Sequence, residues 1–254
     1  FTLENNKDWE GLSLGVLDGS SMILEYHESP ASYGMGEIEV NQVIHGYRSL
    51  LNHQDAVLAE MTERMGPFGN SGACNINVNC PEGADWQTEK RSVALIVNGG
   101  SAYCTGALIN NTANDGTPYF LTANHCIGTP NTWVYYFNHE SSSCSGTTGP
   151  TNQSVSGGSL LVQNGGSDFA LIELSSAPPA SYNVEYAGWD HSGDVPSSAV
   201  GIHHPSGDLK KICFENNAPY QSSTGGAQVW WINQWELGVT EPGSSGSPLF
   251  DQNH

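Results

Sequence analysis

Positive charge is scarce in this sequence. Lys and Arg total 7 against 26 Asp and Glu, a formal charge of −19 over 254 residues. Such a surface repels phosphate, which excludes a generic nucleic-acid binder. Charged residues of either sign make up 13% of the chain, about half the usual share. That excludes coiled coils and helical bundles, whose outer faces need them. Apolar runs are short, Val93–Val97 being typical, and none approaches the ~18 residues of a membrane-spanning helix. No Cys precedes Cys74 and no Cys-x-x-Cys pair occurs, which argues against a zinc knuckle or a thioredoxin-type site. There is no His-Glu-x-x-His, and His203-His204-Pro205 has no further ligand at a recognised spacing. No metal and no cofactor is therefore expected. Phe1 follows no basic leader, so no signal peptide is visible and Phe1 reads as an internal start.

What is present is a turn-rich, polar but uncharged chain with 30 Gly. Residues 1–67 stand apart: they are acidic and free of Cys. Met22–Tyr26 and Glu37–Val40 read there as strands, the second by its alternation. Leu50, Leu51, Gln54, Val57, Leu58, Met61 and Met65 approximate helical spacing, stopped by Gly66-Pro67. From Ser71 onward, short strand candidates recur between turn residues: Ser92–Asn98, Tyr103–Asn110, Tyr119–Ala123, Thr132–Phe137, Ser159–Gln163, Asp168–Leu174, Ala199–His203 and Val229–Trp235. Residues 138–159 and 177–183 read as loops. This pattern predicts an all-β antiparallel sandwich or barrel. Trp230, Trp231 and Trp235 are expected as core and strand-pair residues. The six cysteines read as disulfides formed in an oxidising compartment, and spacing alone does not choose among their pairings.

Three short motifs carry chemistry. Leu121-Thr122-Ala123-Asn124-His125-Cys126 ends an apolar strand in a His beside a Cys. The ring is either a positioned base or a structural His next to an ordinary disulfide. Ser167-Asp168 leads straight into the strand Phe169–Leu174. Its carboxylate either orients an imidazole or caps its own turn. In Glu241-Pro242-Gly243-Ser244-Ser245-Gly246-Ser247-Pro248 two glycines flank two serines. Gly on both sides permits the tight bend a nucleophilic Ser needs, though a surface turn reads much the same. Together they change the odds: His125, Asp168 and Ser245 come in the order of the chymotrypsin-type triad. The nucleophile elbow fails, because Ser247 rather than Gly stands two after Ser245 and only Asp251 and His254 follow as acid and base.

These residues resemble the trypsin-like serine endopeptidases, whose His-Cys, Asp-Phe-Ala-Leu and Gly-x-Ser-Gly-x-Pro motifs they match. The likeness is sharper for the secreted bacterial lysyl endopeptidases, over roughly residues 70–250. It is carried by the runs Ser71–Gly83, Cys104–Asp115, Ala187–Asp190, Ile202–Pro205 and Gly238–Gly243. The resemblance implies two antiparallel β-barrels of the trypsin-like type. The first, over 68–176, carries His125 and Asp168; the second, over 177–254, carries Ser245. Before them would lie the end of an acidic pro-region with a small β module and a short helical junction (1–67). It implies an oxyanion hole from the backbone N–H groups of Gly243 and Ser245, and disulfides Cys104–Cys126 and Cys80–Cys144. Cys74 and Cys213 then either pair together or stay free.

Two departures from the trypsin pattern matter. Animal trypsins carry an Asp directly before the nucleophile, which pairs with the ammonium freed on activation; here that residue is Ser244. Activation is expected instead from loss of the pro-segment near Met65–Gly69. Nine residues follow Ser245, too few for the strands that complete a second barrel, so that barrel is expected to be incomplete and the reading frame to be longer. The expected function is a secreted endopeptidase acting on polypeptide substrates, with the pro-region as its own partner, no nucleic acid and no membrane span. Cleavage after lysine is inherited from the resemblance. A glutamyl or other specificity, or an inactive binding or adhesion module, are the alternatives.

Overall fold

The structure is a computed structural model that describes residues 14–15, 17, 21–40, 42–43 and 70–254. The described part holds thirteen short strands and several short 3-10 helices, joined by turns and irregular segments. The first eight strands are β1 (Ile76–Asn77), β2 (Val93–Asn98), β3 (Ser101–Ile109), β4 (Tyr119–Ala123), β5 (Val134–Phe137), β6 (Ser154–Ser156), β7 (Gly158–Asn164) and β8 (Phe169–Leu174). The rest are β9 (Ala199–His203), β10 (Lys211–Glu215), β11 (Tyr220–Thr224), β12 (Ala227–Trp231) and β13 (Leu249–Phe250). All named ladders are antiparallel, and the fold is all-β.

Seven strands form one sheet in the order β6-β5-β2-β3-β4-β8-β7. The two edge strands are one stretch of chain, bent at Gly157 with φ +78°. Gly157 donates to the carbonyl of Trp133 at 2.8 Å and accepts from the N–H of Ser175 at 3.0 Å. It thereby bonds beyond β5 on one side and beyond β8 on the other, so the sheet curls round until its two edge strands meet at this residue. Alternate residues point inward: Ala170, Ile172 and Leu174 of β8 meet Ala94 and Ile96 of β2 and the rings of Phe120, Trp133 and Tyr135. Strand β2 is buried on both faces, which is why Val93–Val97 reads as an unbroken apolar run. Its Val93 faces outward into a second core with Val200, Ile202, Ile212 and Phe250.

That second core belongs to a four-stranded sheet, β1-β10-β9-β13, beside which β11 and β12 make a separate hairpin. Gly225 and Gly226, both with positive φ, turn this hairpin. Strand β1 lies ahead of the first ring in sequence, yet it pairs with β10 through Ile76 and Ile212.

Several expectations need correction. Met22–Tyr26 and Glu37–Val40 are not strands. Their apolar side chains stand exposed, Ile23 at 91% and Ile38 at 48%. Alternation gives a segment two faces but no neighbour to bury one against. No β module forms among the described residues of 1–67, and the helix expected across Leu50–Met65 falls outside them. The span 138–159 is not all loop, since Ser154–Ser156 pairs with β5. Trp230 and Trp231 do pair across the hairpin, with Gln221 and Tyr220, but Trp231 is 48% exposed and neither joins a core cluster.

Candidate active site

The strand β4 ends at Ala123, and the next three residues, Asn124–Cys126, form a single 3-10 turn. The turn projects His125 out of the ring while Cys126 points in and bonds Cys104 of β3. Asp168 sits at the mouth of the neighbouring strand β8 in the left-handed region, φ 53°, which Asp tolerates better than most residues. This conformation lets it hold the turn at three points. Its Oδ2 lies 2.7 Å from His125 Nδ1. Its Oδ1 accepts the backbone N–H of His125 at 2.9 Å, and its own carbonyl accepts the N–H of Asn124 at 3.0 Å. Burial alone would raise the Asp168 carboxyl, but the hydrogen bonds from His125 and Asn124 outweigh it and lower the carboxyl below its ordinary range. The carboxylate takes one ring nitrogen, leaving Nε2 turned away from it.

The loop Glu241–Pro248 reaches this site from the second sheet. The carbonyl of Ser245 accepts the N–H of Thr105 at 2.8 Å, and it lies 3.9 Å from Cys126 Sγ, the residue after the His. Gly246 explains how the loop comes so close. A Cβ there would stand 2.2 Å from Thr122 Oγ1 and 2.4 Å from the Thr105 carbonyl, and its φ is +82°. Gly243 has φ +98°. Among the described residues no acceptor takes the N–H of Gly243 or Ser245, and no hydrogen bond joins the Ser245 hydroxyl to the His125 ring. Such contacts commonly tighten only when substrate is bound.

Thr105 is fully buried. Its Oγ1 donates to the Gly243 carbonyl at 2.8 Å and accepts the His204 N–H at 3.0 Å. Nothing in a lone Thr inside an apolar strand announces this role. The structure also explains the paired histidines. His203 Nδ1 lies 2.7 Å from Ser244 Oγ, and His204 Nδ1 bonds the Asp208 carbonyl at 2.9 Å. Both rings are buried and brace the loops around the site. Burial pushes His203 down to about 4 and His204 well below its ordinary value.

Among the described residues, the cluster with metal-ligating atoms drawn together is Cys104, His125 and Cys126. Its sulfurs are joined in a disulfide and offer no thiolates. A second disulfide joins Cys80 to Cys144, while Cys74 is an exposed thiol and Cys213 a buried one.

The C-terminal domain of lysyl endopeptidase, as a family, matches residues 68–254. The lysyl endopeptidase of Pseudomonas aeruginosa is 31% identical over 199 residues, 72% of this chain. The chain spans 42% of that relative's length. Similar solved structures include human heparin binding protein, at 15% identity and TM-score 0.45, covering 65% of this chain and 77% of that one. An active form of a protease from M. tuberculosis is similar at 15% identity and TM-score 0.44, covering 75% of this chain and 80% of that one. With the family match running across residues 68–254, the chain belongs to the lysyl endopeptidases.

Proposed function

We propose that residues 68–254 carry the catalytic site of a serine endopeptidase in which His125, Asp168 and Ser245 act together. The observation that supports this most is the three-point grip of Asp168 on the His125 turn, with the Ser245 loop docked beside Cys126. A serine hydroxyl is a poor nucleophile at neutral pH and needs a base. His125 Nε2, free of the carboxylate, takes the Ser245 proton as the hydroxyl attacks a peptide carbonyl. Asp168 fixes the tautomer and stabilises the imidazolium. The oxyanion develops toward the N–H groups of Gly243 and Ser245, each worth about 3–4 kcal/mol. His125 then returns the proton to the leaving amine, and water resolves the acyl-enzyme. No metal or cofactor enters this sequence.

The substrates would be polypeptides cut after lysine, a preference carried by the family and by the named P. aeruginosa relative. The disulfides fit an extracellular enzyme, and no helix among the described residues is long and apolar enough to cross a membrane. Residues 1–67 would act as a pro-region removed near Met65–Gly69. Ser245→Ala in the intact secreted protein should cut turnover about a millionfold and abolish fluorophosphonate labelling. Wild-type proteolysis in that variant would overturn the assignment. Cleavage products of a denatured protein mixture, read by mass spectrometry, should end in lysine.

A further inference from the structure

We propose that the strap Ser71–Asn75 sets the shape of the turn bearing Gly243, and that Glu241 is the positioning residue through which it does so. The proposal rests on Ser245 being the nucleophile. Glu241 opens the loop two residues before Gly243. Its Oε1 accepts the backbone N–H of Gly72 at 2.9 Å and the side-chain amide of Asn75 at 2.7 Å. Its Oε2 accepts the Ser206 hydroxyl at 2.7 Å. Its main chain is held as firmly: the Glu241 N–H donates to Ser244 Oγ at 3.1 Å, and its carbonyl accepts the Ser244 N–H at 3.0 Å. The next carbonyl, of Pro242, accepts the Ser206 N–H at 2.6 Å.

A second carboxylate secures the strap one residue upstream. Asp208 Oδ2 accepts the N–H of Ser71 at 3.0 Å and its hydroxyl at 2.6 Å, and Lys211 Nζ approaches the same oxygen at 3.3 Å. Hydrogen bonds to an ionised acceptor are about twice as strong as neutral ones, and four of them run from the strap to these two side chains. Burial and the nearby Asp208 would raise the Glu241 carboxyl, yet the bonds from Ser206, Gly72 and Asn75 prevail and lower it.

Ser244, the residue directly before the nucleophile, carries no charge and is engaged by His203. The anionic anchor for the N-terminal strap therefore lies three residues earlier, at Glu241. It takes a peptide N–H and a side-chain amide rather than an ammonium, so the latch needs no free N-terminus. The nucleophile loop is consequently tied on both flanks, to the first ring through Thr105 and to the strap through Glu241.

The test uses the intact secreted protein and a fluorophosphonate probe, reading both the labelled fraction and the second-order rate constant. Glu241→Ala should lower the rate constant and kcat about a hundredfold, the usual effect of moving reacting groups by an ångström, with KM changed much less. Glu241→Gln keeps an acceptor and should recover most of that loss. Asn75→Asp, at a partly exposed position, removes a donor and sets two carboxylates face to face. It should reproduce the fall even if Glu241→Ala fails to fold. A smaller labelled fraction reacting at the wild-type rate constant means a structural role only and overturns the latch. So does a wild-type rate in Asn75→Asp while Ser245→Ala is inert. Activity in Ser245→Ala overturns the nucleophile reading, and the latch with it.

Discussion

His203 shows how a side chain outside the proposed trio governs the conditions under which the candidate site holds together. Desolvation lowers it to about 4, helped by Lys211 and opposed by Glu241, whereas in an unfolded chain it titrates near 6.5. The unfolded state therefore binds the proton first as pH falls. The stability from keeping the ring neutral is complete above pH ~6.5 and is lost on the way down to pH ~4, about 3 kcal/mol in all. His204 adds in the same direction. Thermal unfolding midpoints should fall across that window, and His203→Gln should flatten the fall. The same scale shows what a sequence discloses. The motifs around His125, Asp168 and Ser245 stand out in the sequence because the proposed chemistry demands those residue types in short, recognisable surroundings, and the structure joins the first two. Thr105 and Glu241 were not, because each works through backbone partners dozens of residues or more away that only the fold brings near.

At the level of elements, the serine loop owes its close approach to β3 and β4 to Gly246. A methyl there would overlap Thr122 Oγ1 and the Thr105 carbonyl, and a non-Gly residue at φ +82° adds strain of its own, about 1–3 kcal/mol. Gly246→Ala should push the loop off β3 and β4, removing most activity while the first ring keeps its core. Far-UV circular dichroism near wild type beside a large loss of kcat would report this; an unchanged kcat would contradict it. Strands β2, β4 and β9 were readable because their burial is written in apolar runs. Strand β10 was not, since it opens with Lys211, which is buried and bonded to Asn77. A lysine marks a surface until a partner is supplied.

For the molecule as a whole, the three lysines of the described domain share one property. Lys90, Lys210 and Lys211 are at most 9% exposed. Lys90 and Lys210 converge on Glu140, with Lys90 Nζ at 2.6 Å from Oε1 and Lys210 Nζ at 3.3 Å from Oε2. Lys210 also donates to the Lys90 carbonyl at 2.7 Å. Among the described residues, a protease that seeks lysine finds none presented. Incubated folded with a lysine-specific endopeptidase, the span 70–254 should stay whole, and it should be cut after these residues once denatured. Glu140→Gln leaves two buried cations with a weakened partner, a loss of about 3–5 kcal/mol, and should open the folded protein to the same cuts. The charge balance of the sequence pointed to few basic residues but not to their concealment, which needs the register of β10 against β1 and β9.

The pairing of β1 with β10 nests one unit inside another. The ring from β2 to β8 is contiguous in the chain and can shut without help from later residues. The second sheet opens before the ring is made and finishes after it, joining Ile76 to Ile212. For a disordered linker, bringing those ends together costs roughly 4 kcal/mol in chain entropy; a ring already assembled between them shortens the effective gap. Connectivity thereby favours the inner unit assembling first, as the splint on which the outer one is set.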